Sequence, residues 1–354
     1  MIEGFKTVLT ASDKDRRDLF IGAGTRLGTV EQNIEKDFWV CWTLDALFNG
    51  LNQGGPRLLF KGGTSLSKGY GLISRFSEDI DITVFREDIG QAATVEDLEA
   101  LSGKKRNERL DAIRAACQTF INGPLREQLI GLLRTALETA NLVPVSGRVE
   151  ADPDDPDGQS LLLWYPAVTA DGAGYIRRAV KIECGAKSAL DPHSSVTIKP
   201  YVSDDLPNAH LEINNVTTVE PGFTFWDKVA ILHGLRRWWE RRGELRGGGQ
   251  RVSRHYYDVF RLLASDSGAA FAADIPLAEA CVRHARMFFN RPDFDLATAK
   301  PGTFALAPHD DMLAALETDY AAMAGMIFGD VPQFGPIIES VAALEDRLNA
   351  KQQA

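Results

Sequence analysis

The chain has 354 residues, with 39 Lys plus Arg against 49 Asp plus Glu, a net charge of −10 and 44% hydrophobic residues. This composition excludes a disordered or collagen-like polymer. It also argues against general coating of nucleic acid, because affinity for phosphate comes from Lys and Arg that displace counterions.

The length exceeds the limit of about 250 to 300 residues for one hydrophobic core, which predicts a large core with a smaller one appended. No apolar run approaches the roughly 20 residues that span a bilayer, and MIEGFKTVLTASDKDRR carries charges where a signal peptide needs an apolar stretch. The expectation is a cytoplasmic protein with no membrane partner. Cys41, Cys117, Cys184 and Cys281 lie far apart with no C-x-x-C, which predicts four buried, reduced thiols.

In chain order, Ser12 followed by Asp15 reads as a capping box. EQNIEKDFWVCWTLDALFNG has apolar residues at helical spacing and is closed by Asn49-Gly50. RLLFKGG is a short apolar run ended by two glycines, TSLSKGYGL a short helix, and RFSEDIDITVF alternates as a strand does. Residues 95–140 read as helices, LDAIRAACQTFI and LREQLIGLLRTALETA, separated by Gly123-Pro124. EADPDDPDGQ reads as a polar turn, and LLLWYPAV, YIRRAVKIECG and SVTIKPYV as a three-strand meander. From Phe223 onward the pattern is helical. Together these elements predict an α+β domain over 1–215 and a helical domain over 216–354, joined around Glu212 to Gly222.

Strand residues i and i+2 face the same way, so Asp79 and Asp81 of SEDID project from one face. Two carboxylates that close repel unless a cation lies between them, and Mg²⁺ prefers oxygen ligands. The spacing also occurs at Asp13/Asp15, Asp152/Asp154, Asp155/Asp157 and Asp293/Asp295; a simple exposed strand edge is the alternative. Gly62 and Gly63 permit backbone angles barred to other residues, and Thr64 and Ser65 follow at a helix start, which suits either a phosphate cradle or an ordinary turn.

Lys181 and Glu183 share one strand face, where Glu183 is a third carboxylate or half of a cross-strand salt bridge. Lys228 sits in an amphipathic stretch, and Asp258 and Arg261 lie three apart on another. They are either phosphate-neutralising machinery or exposed helix charges. The segment 236–254 holds Arg236, Arg237, Arg241, Arg242, Arg246, Arg251 and Arg254 against Glu240 and Glu244, with Trp238 and Trp239 between. It reads as an RNA-contacting loop or as a solvated helix with inward Trp rings.

The assembled pattern resembles the nucleotidyltransferase toxins of the AbiEii/AbiGii type, the toxin half of abortive-infection or type IV toxin–antitoxin pairs. The likeness is carried by IEKDFWV, FKGGTSLSKGYGLISRFSEDIDI, VKIECG, FTFWDKVAIL, RHYYDVFRL and DYAAMAGMIFGDVPQFGPIIESVAALEDRLN. It implies a polymerase-β-like fold, a mixed sheet flanked by helices, and Mg²⁺-dependent transfer of a nucleoside monophosphate from an NTP with release of pyrophosphate. By the same resemblance Asp79 and Asp81 bind metal, Gly63, Thr64 and Ser65 hold the triphosphate, and Glu183 occupies the second-motif carboxylate position, a third metal ligand or base; Gly62, Lys181 and Arg261 are the further nucleotide-binding candidates. Lys228 corresponds to a phosphate-contacting lysine and Asp258 to the fourth-motif aspartate. The implied acceptor is the tRNA 3′ end, whose blockage stops translation and growth, and the implied partner is a separately encoded antitoxin, a winged-helix regulator. A protein or small-molecule acceptor, or a degenerate RNA-binding module, remains the alternative.

Overall fold

The computed structural model describes residues 2–143, 146–170, 177–249 and 251–350. The chain divides into two compact units, one of Met1–Tyr70, Phe76–Thr94 and Leu101–Val219, the other of Gly71–Arg75, Val95–Ala100 and Glu220–Ala354. The expected boundary at 215/216 falls inside a strand.

The first unit is built on a seven-stranded mixed sheet: β1 (Leu58–Lys61), β2 (Asp79–Val84), β3 (Arg148–Ala151), β4 (Ser160–Trp164), β5 (Ala179–Gly185), β6 (His193–Ile198) and β7 (Ile213–Val219). The order is β3-β4-β5-β2-β1-β7-β6. β2/β5 and β1/β7 are parallel, and the other neighbours antiparallel. The architecture is α+β, as expected. The meander is not: β4 and β5 pair, but β6 lies at the far edge against β7, with β2 and β1 between. The stretch expected to be a linker, Glu212 to Gly222, supplies β7, which the parallel slot beside β1 holds. Its run INNVTTV has too few apolar residues to announce a strand.

Helices α1 (Glu3–Thr10), α2 (Asp13–Leu27) and α3 (Glu31–Asp45) precede the sheet. Ser12 caps α2 by accepting from the Asp15 amide at 3.1 Å, and Gly28 ends it in the left-handed region at φ 67°. α3 packs against β2, β5 and β7 and is buried without a break from Asn33 to Asp45, charged residues included. A short helix, α4 (Gly62–Lys68), follows β1 directly. Helix α5 (Val95–Glu99) belongs to the second unit. α6 (Gly103–Phe120) and α7 (Arg126–Thr139) were expected to be separated at Gly123-Pro124, but a π-type turn, Ile121–Leu125, joins them. A proline lacks a donor and crowds the preceding turn; one widened turn accommodates both.

The second unit is helical: α8 (Pro221–Arg242), α9 (Arg254–Leu263), α10 (Gly268–Ala273), α11 (Ile275–Phe288), α12 (Asp310–Met323) and α13 (Phe334–Ala350). Pro221 opens α8, and Gly243 closes it at φ 67°. α8 packs on α9 and α11, and α13 on α9. Arg75 forms an antiparallel bridge with Ile327. Among the described residues, no helix is long and apolar enough to cross a membrane. All four cysteines are free, with Cys41, Cys117 and Cys281 buried and Cys184 half-buried.

Candidate active site

In the first unit, β2 alternates as its sequence requires: Ile80 and Ile82 are buried, while Asp79 and Asp81 are half-buried on the opposite face. β5 lies parallel beside it, with Asp81 in register with Glu183 and Asp79 with Lys181. The register brings Glu183 to the face that carries the two aspartates.

Gly62 leaves β1 at φ +77°, and a Cβ there would lie 2.0 Å from Asp81 Oδ2. Only glycine lets the turn and the carboxylate share that space. Thr64 Oγ1 donates to the Asp79 carbonyl at 2.5 Å and lies 2.7 Å from Ser77 Oγ, while Ser65 Oγ donates to the Gly62 carbonyl at 2.8 Å. Both hydroxyls are therefore committed to fixing the turn against β2. What Gly63, Thr64 and Ser65 still offer a ligand is the first-turn backbone N–H set, which has no acceptor inside its own helix.

Burial, then the neighbouring charges of Glu78, Glu183 and Asp81, push the Asp79 carboxyl up to about 6, against the opposing charge of Lys36. Lys181 Nζ pairs with Glu183 at 2.8 Å and with Asp152 at 3.4 Å, and Lys61 Nζ lies 3.8 Å from Asp81. Among the described residues, no group of three or more His, Cys, Asp or Glu side chains converges as a finished metal site. The donor chemistry nonetheless fits a hard divalent cation: three oxygen-only side chains face one way on two adjacent strands, close enough for Asp79 to feel the other two.

In the second unit, Lys228 and Asp258 are not exposed helix charges. They are 5% and 0% exposed, and Lys228 Nζ meets Asp258 Oδ2 at 2.7 Å. Arg75 completes the group with a two-pronged contact, Nε to Oδ1 and Nη2 to Oδ2, each 2.8 Å. Burial alone would raise the Asp258 carboxyl; the Arg75 and Lys228 charges outweigh it and hold it well below the usual range. Arg261 Nη2 reaches Ser74 Oγ at 3.5 Å, a weak contact to the same Gly71–Arg75 segment.

Residues 45–349 match the family described as "Nucleotidyl transferase AbiEii toxin, Type IV TA system". The chain belongs to the AbiEii family. It is a nucleotidyltransferase and the toxin of a type IV toxin–antitoxin system, which implies an antitoxin partner. IEKDFWV on α3 lies ahead of the matched span. The chain is also similar to the solved structure of MenT4, a nucleotidyltransferase toxin from Mycobacterium tuberculosis H37Rv, at 16% identity and a TM-score of 0.38, over 90% of this chain and 94% of that one. No curated protein matches the sequence.

In this AbiEii toxin the arginine-rich segment is more committed than its sequence suggests. Arg236 is buried, binds the Ala307 carbonyl and pairs with Glu240 at 3.1 Å. Arg237 also pairs with Glu240, at 2.9 Å, and Arg242 pairs with Asp293 at 2.6 Å. Arg241 lies 3.6 Å from Asp295, and Arg246 stacks 5.0 Å over Phe294. Arg236, Arg237, Arg241 and Arg242 thus meet carboxylates, of which Asp293 and Asp295 are distant in sequence. Arg251 and Arg254 lie on either side of the start of α9, and the Asp319 carboxylate accepts from the Arg251 and Ser253 amides. Arg75 and Lys36 escaped the sequence reading, and Asp152, noted there only as half of another D-x-D spacing, is buried beside Lys181. The one signal for Arg75 is a charge set between Ile73 and Phe76, both buried.

Proposed function

We propose that this AbiEii toxin transfers a nucleoside monophosphate from an NTP to an RNA acceptor, most simply the tRNA 3′ end, in a Mg²⁺-dependent reaction in the cytoplasm. The observation that carries the reading is the β2/β5 register, which sets Glu183 beside Asp81 on the face that also bears Asp79. Asp79, Asp81 and Glu183 would hold the metal, which when bound supplies charge neutralisation at the transferring phosphoryl group.

This chain's residues do the rest. The first-turn amides of α4 at Gly63, Thr64 and Ser65 receive the triphosphate, with Gly62 allowing its close approach. Glu183 takes the proton of the incoming hydroxyl. Lys181, now paired with Glu183 and Asp152, turns to the nucleotide phosphates. Lys228 and Asp258 act from their buried group with Arg75, and Arg261 contacts the Gly71–Arg75 segment. Of the arginines from Arg236 to Arg254, the exposed ones dock the acceptor, whose charged 3′ end suits a cationic segment, while Arg236 is buried and held by Ala307 and Glu240. Blocking that end stops aminoacylation and growth, and a winged-helix antitoxin restrains the toxin.

The test is incubation with each α-labelled NTP, Mg²⁺ and purified tRNA or whole lysate. Label expected on tRNA disappears with nuclease; label that survives nuclease but not protease transfers the reading to a protein acceptor. Full toxicity retained by a folded Asp79→Ala plus Asp81→Ala variant would establish a binding module instead.

A further inference from the structure

Three consecutive charged residues on α3 are buried, and each grips a different connection. Glu35 accepts from the Val168 amide at 2.6 Å and the Thr169 amide at 3.2 Å. Asp37 meets Lys68 Nζ at 2.6 Å and accepts from the Tyr201 amide at 2.7 Å. Lys36, 2% exposed, donates to Glu78 Oε2 at 2.7 Å and to the Arg177 carbonyl at 3.2 Å.

The two acceptors of Lys36 are placed tellingly. Glu78 immediately precedes β2, and Arg177 lies just ahead of β5. These two strands are parallel neighbours joined by a long excursion through α5, α6, α7, β3 and β4, so no tight turn sets their register. A slip of one residue turns every side chain of a strand to the other face and would carry Glu183 away from Asp79 and Asp81. Lys36 ties both strands to one rigid helix at their starting ends.

We infer that Lys36 is a positioning residue for the nucleotidyl-transfer site: by clasping Glu78 and the Arg177 carbonyl it holds β2 and β5 in the register that assembles Asp79, Asp81 and Glu183. The inference rests on the magnesium reading above. It differs in sign from a simple charge effect. A cation removed from beside three carboxylates should tighten divalent binding by Coulomb attraction alone, whereas loss of a clasp loosens it.

The experiment compares full-length wild type, Lys36→Met, the double variant Lys36→Met/Glu78→Gln and Asp79→Asn. Mn²⁺ affinity is read by electron paramagnetic resonance, and amide exchange by mass spectrometry of peptides covering 79–84 and 179–185. Lys36→Met is expected to weaken Mn²⁺ binding about 10- to 100-fold, as loss of residues that orient metal ligands does. It should also speed exchange in both strands about tenfold or more. The double variant removes the uncompensated Glu78 charge, so its thermal midpoint recovers while Mn²⁺ affinity stays weak. Recovery of both together, or Mn²⁺ binding that tightens, overturns the inference, as does failure of both variants to fold. Should wild type and Asp79→Asn both fail to bind Mn²⁺, the magnesium reading falls, and unchanged strand exchange in Lys36→Met would separately sink the clasp.

Discussion

At Gly62 the backbone conformation and the position of the Asp81 carboxylate make one demand. The left-handed angle costs a residue with a Cβ roughly 1–2 kcal/mol, and the Cβ would in addition displace Asp81 Oδ2, 2.0 Å away. Gly62→Ala is therefore expected to lower unfolding free energy by at least about 1–2 kcal/mol and to abolish transfer, measured by urea titration and NTP labelling; normal transfer would show that Asp81 has room to move. His233, fully buried in α8, carries a different kind of constraint. Its Nδ1 accepts from the Ala305 amide at 3.1 Å, and Nε2 faces the Asp295 carbonyl at 3.2 Å. Burial pushes the imidazole pKa down from 6.5 to about 4. The unfolded chain thus takes up a proton near pH 6.5 that the folded chain refuses until near 4, so this stability is present above pH 6.5 and lost as pH falls toward 4. The loss is at most about 3 kcal/mol. Thermal midpoints measured from pH 7 to 4 should fall less steeply in His233→Gln; parallel curves would remove His233 as the cause.

Helices α8 and α9 are joined by the Lys228–Asp258 pair, and Arg75 reaches the same carboxylate. Removing Asp258 leaves two buried cations facing each other, whereas removing Lys228 leaves Asp258 still paired with Arg75. Asp258→Asn should cost about 3–5 kcal/mol and Lys228→Met clearly less, by denaturant unfolding; equal losses would mean that Arg75 does not hold the carboxylate alone. The arginine-rich end of α8 is similarly tempered. Arg236, Arg237, Arg241 and Arg242 already have carboxylate partners, so acceptor docking that relies on Arg246 and Arg254 should give a log–log salt slope of about −1 to −2. A slope near −6, read by titration of tRNA binding at increasing KCl, would require those ion pairs to open. Sequence legibility followed the range of the interactions. The β1 run, the glycine turn and the alternation of β2 depend on neighbours a few residues apart and could be read directly. Neutralisation of Arg241 and Arg242 by Asp293 and Asp295, and the edge position of β6, depend on partners no periodicity marks.

Across the whole molecule the chain weaves between its two units rather than completing one before starting the other. Sequence patterning offers a single change of character, to helices from Phe223 onward, and α8 begins close by at Pro221. It gives no sign that Gly71–Arg75 and Val95–Ala100 pack with the helical unit. The reason is visible in two contacts. Arg75 is 183 residues from Asp258, and Arg283 is 184 residues from Glu99, and each pair closes within the second unit. Segment Gly71–Arg75 also leads, through Phe76, Ser77 and Glu78, into the strand that carries Asp79 and Asp81. A fragment ending at Val219 keeps every strand of the sheet yet strips the partners from both segments, leaving the Arg75 guanidinium without the carboxylate that buries with it. Such a fragment is expected to cleave rapidly at 71–75 and 95–100 under limited proteolysis while the intact chain resists, and to bind Mn²⁺ more weakly because the chain leading into β2 is no longer held. The complementary fragment from Glu220 lacks the same two segments, so mixing the pieces should not restore protection. A fragment 1–219 as resistant as the full chain at both segments would show that the sheet unit alone orders them.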